Sequence, residues 1–128
     1  MPPFRILLVE DNQDNFEFMR FLLEREGYEV LEAHDGEQCV EQARAERPDL
    51  VLMDLTIPIM DGWHTARVLR NDLDTSDIPL VAVTAHTLPG DRKKALEVGF
   101  DSYISKPINV PVFYGVIEGM FKDKKPVR

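Results

Sequence analysis

Apolar residues fall into short unbroken runs, separated by longer stretches in which they recur every three or four positions. Ile6–Val9, Leu50–Met53 and Leu80–Val83 contain no polar residue. Such runs, bounded by acids, Gly or Pro, read as strands buried on both faces. Tyr28–Ala33 reads as a weaker strand and Ser102–Ser105 as a fifth. The intervening stretches predict helices with recognisable ends. The first is capped by Asp11 or Asn12 and runs to about Glu26, where Gly27 stops it. The second opens at Asp35 or Gly36 and runs to about Arg47, before Pro48 and Asp49. The others cover about Trp63–Asn71, Asp91–Val98 and Val110–Phe121, and Thr56–Gly62 reads as a loop. Five strand–helix units in strict alternation predict the α/β class, a five-stranded parallel sheet with helices on both faces.

In open parallel sheets of this kind, ligands bind beyond the carboxyl ends of the strands. The residues expected there are Glu10, Asp11, Asp54, Thr84 and, just past the fifth strand, Lys106. Carboxylates brought together repel unless a cation neutralises them. An all-oxygen ligand set suits a hard ion such as Mg²⁺, which accepts one or two carboxylates and keeps several waters. Asp54 is central in this set, and a carboxylate can attack phosphorus to give an acyl phosphate. Lys106 is then a point charge for phosphoryl oxygens, and the Thr84 hydroxyl a donor to them.

Composition narrows the reading. The 128 residues suit one domain, divided here into an extension at 1–3, a domain at 4–121 and a basic tail at 122–128. The formal net charge of −8 argues against direct nucleic-acid binding. No apolar run approaches the roughly eighteen residues of a membrane span, and the amino terminus lacks the layout of a signal peptide. The single cysteine, Cys39, forms no intramolecular disulfide, which points to a reduced, cytoplasmic setting. His34, His64 and His86 show no metal-ligand spacing; the first two read as surface residues and His86 as an edge of the phosphate site.

Five segments together resemble the motifs of bacterial response-regulator receivers: Leu8–Asn12, Leu52–Pro58, Met60–Gly62, Val83–Ala85 and Tyr103–Pro107. The resemblance runs from about Phe4 to about Phe121. The Glu10–Asp11–Asn12 opening and the Ser105–Lys106–Pro107–Ile108 ending are most similar to single-domain cell-division regulators of the DivK type and to receivers of hybrid kinases. It implies the (βα)5 flavodoxin-like receiver fold and a two-component switch or phosphorelay intermediate, phosphorylated from phosphohistidine with Mg²⁺. Asp54 then matches the phosphoacceptor. Asp11, Asp54, the backbone carbonyl of Thr56 and, through water, Glu10 match the Mg²⁺ ligands. Lys106 and Thr84 match the phosphate-binding groups, Thr84 and Tyr103 the switch pair, and Pro107 the cis proline. Glu10 stands where aspartate is commoner. The implied partners are a histidine kinase or histidine phosphotransfer protein and a downstream protein target.

Other readings fit less well. A nucleotide-binding protein of this topology needs a Gly- or Ser/Thr-rich turn after the first strand, where this chain has three polar residues, two of them acids. Many aspartate-nucleophile phosphohydrolases carry a second aspartate two positions on, where this chain has Thr56. The expectation is therefore no enzyme beyond chemistry on its own aspartate. An unphosphorylated interaction module would usually lack the acceptor, an acid or the lysine, and all are present. On the first helix, Met19, Leu22 and Leu23 make the core face at about 100° per residue, and Phe21 points roughly away from it. Receivers similar to this chain dock the phosphodonor at this end of the first helix, so the resemblance makes Asp14, Asn15, Phe18 and Phe21 candidates for that contact.

Overall fold

In the computed structural model, residues 3–85 and 90–126 are described, with Asp91 described by its backbone only. Five strands, β1 (Arg5–Val9), β2 (Glu29–Ala33), β3 (Leu50–Asp54), β4 (Leu80–Thr84) and β5 (Ser102–Ser105), form one parallel sheet in the order β2-β1-β3-β4-β5. The three runs without polar residues are the three inner strands. An inner strand of a doubly covered sheet has no solvent face, so neither parity of its side chains tolerates a polar group. Ile6, Leu8, Leu50, Leu52, Val81 and Val83 face one core, which α1 (Gln13–Arg25) and α5 (Val110–Phe121) close with Phe16, Met19, Leu23, Phe113 and Ile117. Leu7, Val9, Val51, Met53, Leu80 and Ala82 face the other, under α2 (Gly36–Glu46), α3 (Gly62–Asn71) and α4 (Asp91–Val98).

The helix ends follow from local chemistry. Asn12 caps α1 by accepting from the Asn15 N–H at 3.0 Å, and Asp35 caps α2 through the Gln38 N–H at 2.7 Å. Asp61 caps α3 and Asn109 caps α5 in the same way. Gly27 follows α1 at φ +88°, a left-handed conformation open to glycine at little cost. Among the described residues no helix is long and apolar enough to cross a membrane.

One structural feature has no signature in the hydrophobic pattern. Arg5, at the start of β1, is buried at 7% exposure. Its backbone N–H donates to Asp49 at 2.8 Å. Its guanidinium donates to Glu29 at 2.9 Å, to the Glu46 carbonyl at 2.7 Å and to the Glu46 carboxylate at 3.0 Å. One side chain thus ties β1 to β2 and to the end of α2. Both partner carboxylates are 46% exposed and rehydrate when abandoned. Arg5→Met should therefore destabilise the fold by about 1–3 kcal/mol, the range for losing charge-assisted hydrogen bonds, as measured by urea unfolding.

Candidate functional site

The strand order reverses between β1 and β3, so a crevice opens beyond their carboxyl ends. Glu10 lies just past β1 at 1% exposure, and Asp54 ends β3 at 2%. Lys106, just past β5, reaches both. Its ammonium donates to Asp54 Oδ2 and lies 3.3 Å from Glu10 Oε1. The other Asp54 oxygen, Oδ1, accepts two hydrogen bonds of 2.8 Å, from the Thr56 N–H and from the Thr56 hydroxyl. The Asn12 N–H donates to Glu10 Oε2 at 3.4 Å. The Lys106 N–H donates to the Thr84 carbonyl at 2.8 Å, so β4 anchors the backbone from which the lysine extends. The Lys106–Pro107 peptide is cis.

Burial sets the electrostatics. It pushes the Glu10 carboxyl up, repulsion from Asp54 adds to this, and Lys106 opposes both, leaving the group at about 7. Burial also acts to raise Asp54, but the hydrogen bonds from Lys106 and Thr56 outweigh it and hold that carboxyl below its ordinary value. Burial lowers Lys106, and the two carboxylates more than reverse this. The crevice therefore keeps Asp54 ionised near neutral pH, with its charge countered by one ammonium.

The loop between β3 and α3 is pressed against this group. A Cβ on Gly62 would sit 2.7 Å from the Leu55 Cα and 3.1 Å from the Asp54 carbonyl oxygen, so only glycine lets α3 start there. The Thr65 hydroxyl donates to the carbonyls of Met60 and Asp61 at 3.1 and 2.7 Å, fixing the loop from the helix side. At the tip, Ile59 has φ +69° and is 74% exposed. A β-branched residue in that region is strained.

The remaining sequence candidates take distinct places. Asp11 is exposed, next to Glu10 in the chain, and Thr84 is fully buried at the end of β4. Tyr103 is half-buried on β5 and packs on the core under α2–α4. Asp14 and Asn15 are exposed, and Phe18 and Phe21 are 45% and 59% exposed. A cavity of about 290 Å³ beside the crevice is lined by Asn15, Phe18, Met19, Lys106, Pro107 and Ile108. His86 lies outside the described residues. The reading of His34 as an ordinary surface residue needs correction: its ring contacts the Glu10 carbonyl at 2.9 Å and the Glu32 carboxylate. No spacing in the sequence marks that contact, because it depends on β2 lying beside β1.

Besides the Lys106 ammonium, the side chains that the described residues bring together in the crevice, Glu10, Asp54 and Thr56, carry oxygen. Among the described residues no three His, Cys, Asp or Glu side chains gather into a metal-holding cluster. Two carboxylates, those of Glu10 and Asp54, meet at Lys106 in the crevice, and Asp11 follows Glu10 in the chain at an exposed position. That set fits a hard cation that retains water, as Mg²⁺ does.

The chain is similar to known proteins over most of its length. The family model for the response regulator receiver domain matches residues 6–118. The polar-differentiation response regulator DivK of Brucella anthropi is 38% identical over 121 residues, spanning 94% of this chain and 98% of that protein. The receiver domain of the sensor histidine kinase PA1611 from Pseudomonas aeruginosa, solved with a magnesium ion in its active site cleft, superposes with a TM-score of 0.86. It is 33% identical, covering 94% of this chain and 99% of that one. The receiver domain of a Syntrophus aciditrophicus histidine kinase superposes at 0.87 with 30% identity, covering 98% and 95%.

Proposed function

The chain belongs to the response regulator receiver domain family of two-component signalling, whose function is phosphoryl acceptance, and on that premise we propose that Asp54 is the acceptor. The observation that carries the assignment is the environment of its carboxylate. It is buried at the switch point of the sheet, kept ionised, and faced, among the described residues, by the ammonium of Lys106. In the reaction an Asp54 oxygen attacks phosphorus, an O–P bond forms, and the P–N bond to the donor imidazole breaks. The imidazole leaves with the bonding electrons and takes a proton from solvent. Lys106 follows the charge from carboxylate to phosphoryl oxygens. Asp11, Asp54, the Thr56 carbonyl and, through water, Glu10 would hold Mg²⁺, which supplies charge screening for the incoming phosphoryl group.

Once the phosphoryl group is in place, the Thr84 hydroxyl gains an acceptor that the unmodified site lacks. A ligand shifts a conformational equilibrium only through interactions that differ between the states, and this bond is such a difference. Tyr103, on the neighbouring strand, is the side chain that would respond. Transfer of phosphate from a phosphorylated histidine kinase in Mg²⁺, and its absence in EDTA, tests the reading directly. Retention of full transfer in EDTA would overturn the metal assignment.

The donor is a histidine kinase or histidine phosphotransfer protein, and the side of α1 next to the crevice is its proposed seat. Phe18 and Phe21 are three apart, form one exposed apolar patch, and lead by way of Asn15 to the cavity beside Lys106. Phe21→Ala should slow transfer from the cognate donor by about tenfold, equivalent to roughly 1.4 kcal/mol of docking energy. Labelling by acetyl phosphate and thermal stability should hardly change, because the ring packs in no core. A large stability loss, or equal rates by both routes, would remove the docking role. The receiver then passes its signal on by contact with a downstream protein, in a cytoplasmic setting.

A further inference from the structure

His34 is held more firmly than a half-exposed histidine needs to be. One ring nitrogen, Nδ1, lies 2.9 Å from the Glu10 carbonyl oxygen, and the other contacts the Glu32 carboxylate. The ring lies against Phe16, with centroids 5.2 Å apart, and Phe16 is fully buried in α1. The backbone is fixed as well. The His34 N–H donates to the Gln38 side chain at 2.9 Å, and the next residue, Asp35, caps α2.

All these restraints converge on the turn after β1. The Glu10 N–H donates to the Ala33 carbonyl at 3.1 Å, and the Glu10 carbonyl meets the His34 ring. A peptide unit is planar, so fixing the Glu10 carbonyl fixes the plane that joins Glu10 to Asp11. That plane sets the direction in which both carboxylates leave the backbone. Without the imidazole, the carbonyl at the carboxyl end of the strand has no described protein donor and can rotate toward water. We propose that His34 is a positioning residue for the metal site, clamping the Glu10–Asp11 peptide to β2 so that both carboxylates are presented in one orientation. This rests on the reading of Glu10 and Asp11 as Mg²⁺ ligands. Residues that orient ligands from outside typically change metal affinity by about 10- to 100-fold when removed.

The test uses the full chain and MgCl₂ as the probe, with calorimetric titration of wild type, His34→Leu and His34→Asn. The asparagine amide nitrogen overlays Nδ1 and preserves the donor, whereas leucine fills the space without it. His34→Leu should weaken Mg²⁺ binding about tenfold, and His34→Asn should bind close to wild type. Equal affinities for wild type and leucine variant would sink the clamp alone, whereas no Mg²⁺ binding by wild type would sink the parent reading together with it. A second measurement needs no variant. Because a carbonyl only accepts, Nδ1 must carry a proton, visible in the long-range ¹H–¹⁵N spectrum of the imidazole at neutral pH. An unprotonated Nδ1 would overturn the proposal even if the leucine variant failed to fold.

Discussion

In Asp54→Asn, acetyl phosphate and Mg²⁺ should leave no phosphate on the chain, against near-complete modification of wild type. The expected effect is all or none because the chemistry has no partial form. The acyl phosphate requires a carboxylate oxygen as nucleophile, and an amide oxygen is too poor a nucleophile to replace it. The fold should persist. One amide oxygen can still accept either the two Thr56 donors or Lys106, and the side chain keeps its volume in a site that is 2% exposed. Hydroxylamine sensitivity is the decisive readout: an acyl phosphate is cleaved, a phosphate ester is not. Hydroxylamine-resistant phosphate surviving in the variant would place the modification on a hydroxyl residue, with Thr56 the nearest to Asp54 on this side.

Lys106→Met should destabilise the metal-free protein by about 3 kcal/mol at neutral pH, the low end for removing one partner of a buried ion pair. Glu10 and Asp54 are almost wholly buried, whereas the Lys106 side chain is 22% exposed, so the unpaired charge remains where water is least accessible. The pH dependence gives the sign. In wild type the Glu10 carboxyl is raised to about 7, so the stability linked to its neutral form is present below its unfolded value. That stability is lost as pH rises through about 7. Asp54, held low, acts in the opposite sense: its contribution is present above its unfolded value and is lost on acidification. Removing the ammonium raises both carboxyls. The variant should therefore lose stability more steeply than wild type between pH 5 and about 8, as read by melting in chelator. Added Mg²⁺ should restore more stability to the variant than to wild type, since it again places a cation between the two acids. An unchanged melting profile would show that the lysine does not neutralise the pair. Phosphorylation should also fall, for want of the charge that follows the phosphoryl oxygens.

The apolar pattern was enough to place the elements, and their alternation to send the acids to one end of the sheet. Three uninterrupted apolar runs became β1, β3 and β4, because only a strand covered on both faces excludes polar side chains at both parities. The α1 and α2 caps were legible to within one residue, as Asp11 or Asn12 and Asp35 or Gly36, because a cap is a contact between residues three apart and leaves a local trace. The acids at strand ends were legible too, since the parallel arrangement sends every carboxyl end to one edge. At about 100° per residue Phe16 flanks the face made by Met19, Leu22 and Leu23, and the fold carries it fully inside.

What the tertiary structure alone decided is which of these residues touch. Lys106 meets Asp54 across 52 positions and Glu10 across 96, distances over which no periodicity or spacing constrains a side chain. Strand order is a choice among packings of similar hydrophobic content, and it puts β1 beside β2 as well as β3. That adjacency turned His34 from a surface histidine into a contact of the Glu10 carbonyl, and joined Arg5 to Glu29 and Glu46. A polar side chain carries no periodic signal for its partner. Its role is fixed only when burial removes water as the alternative and leaves the nearest protein group to satisfy it.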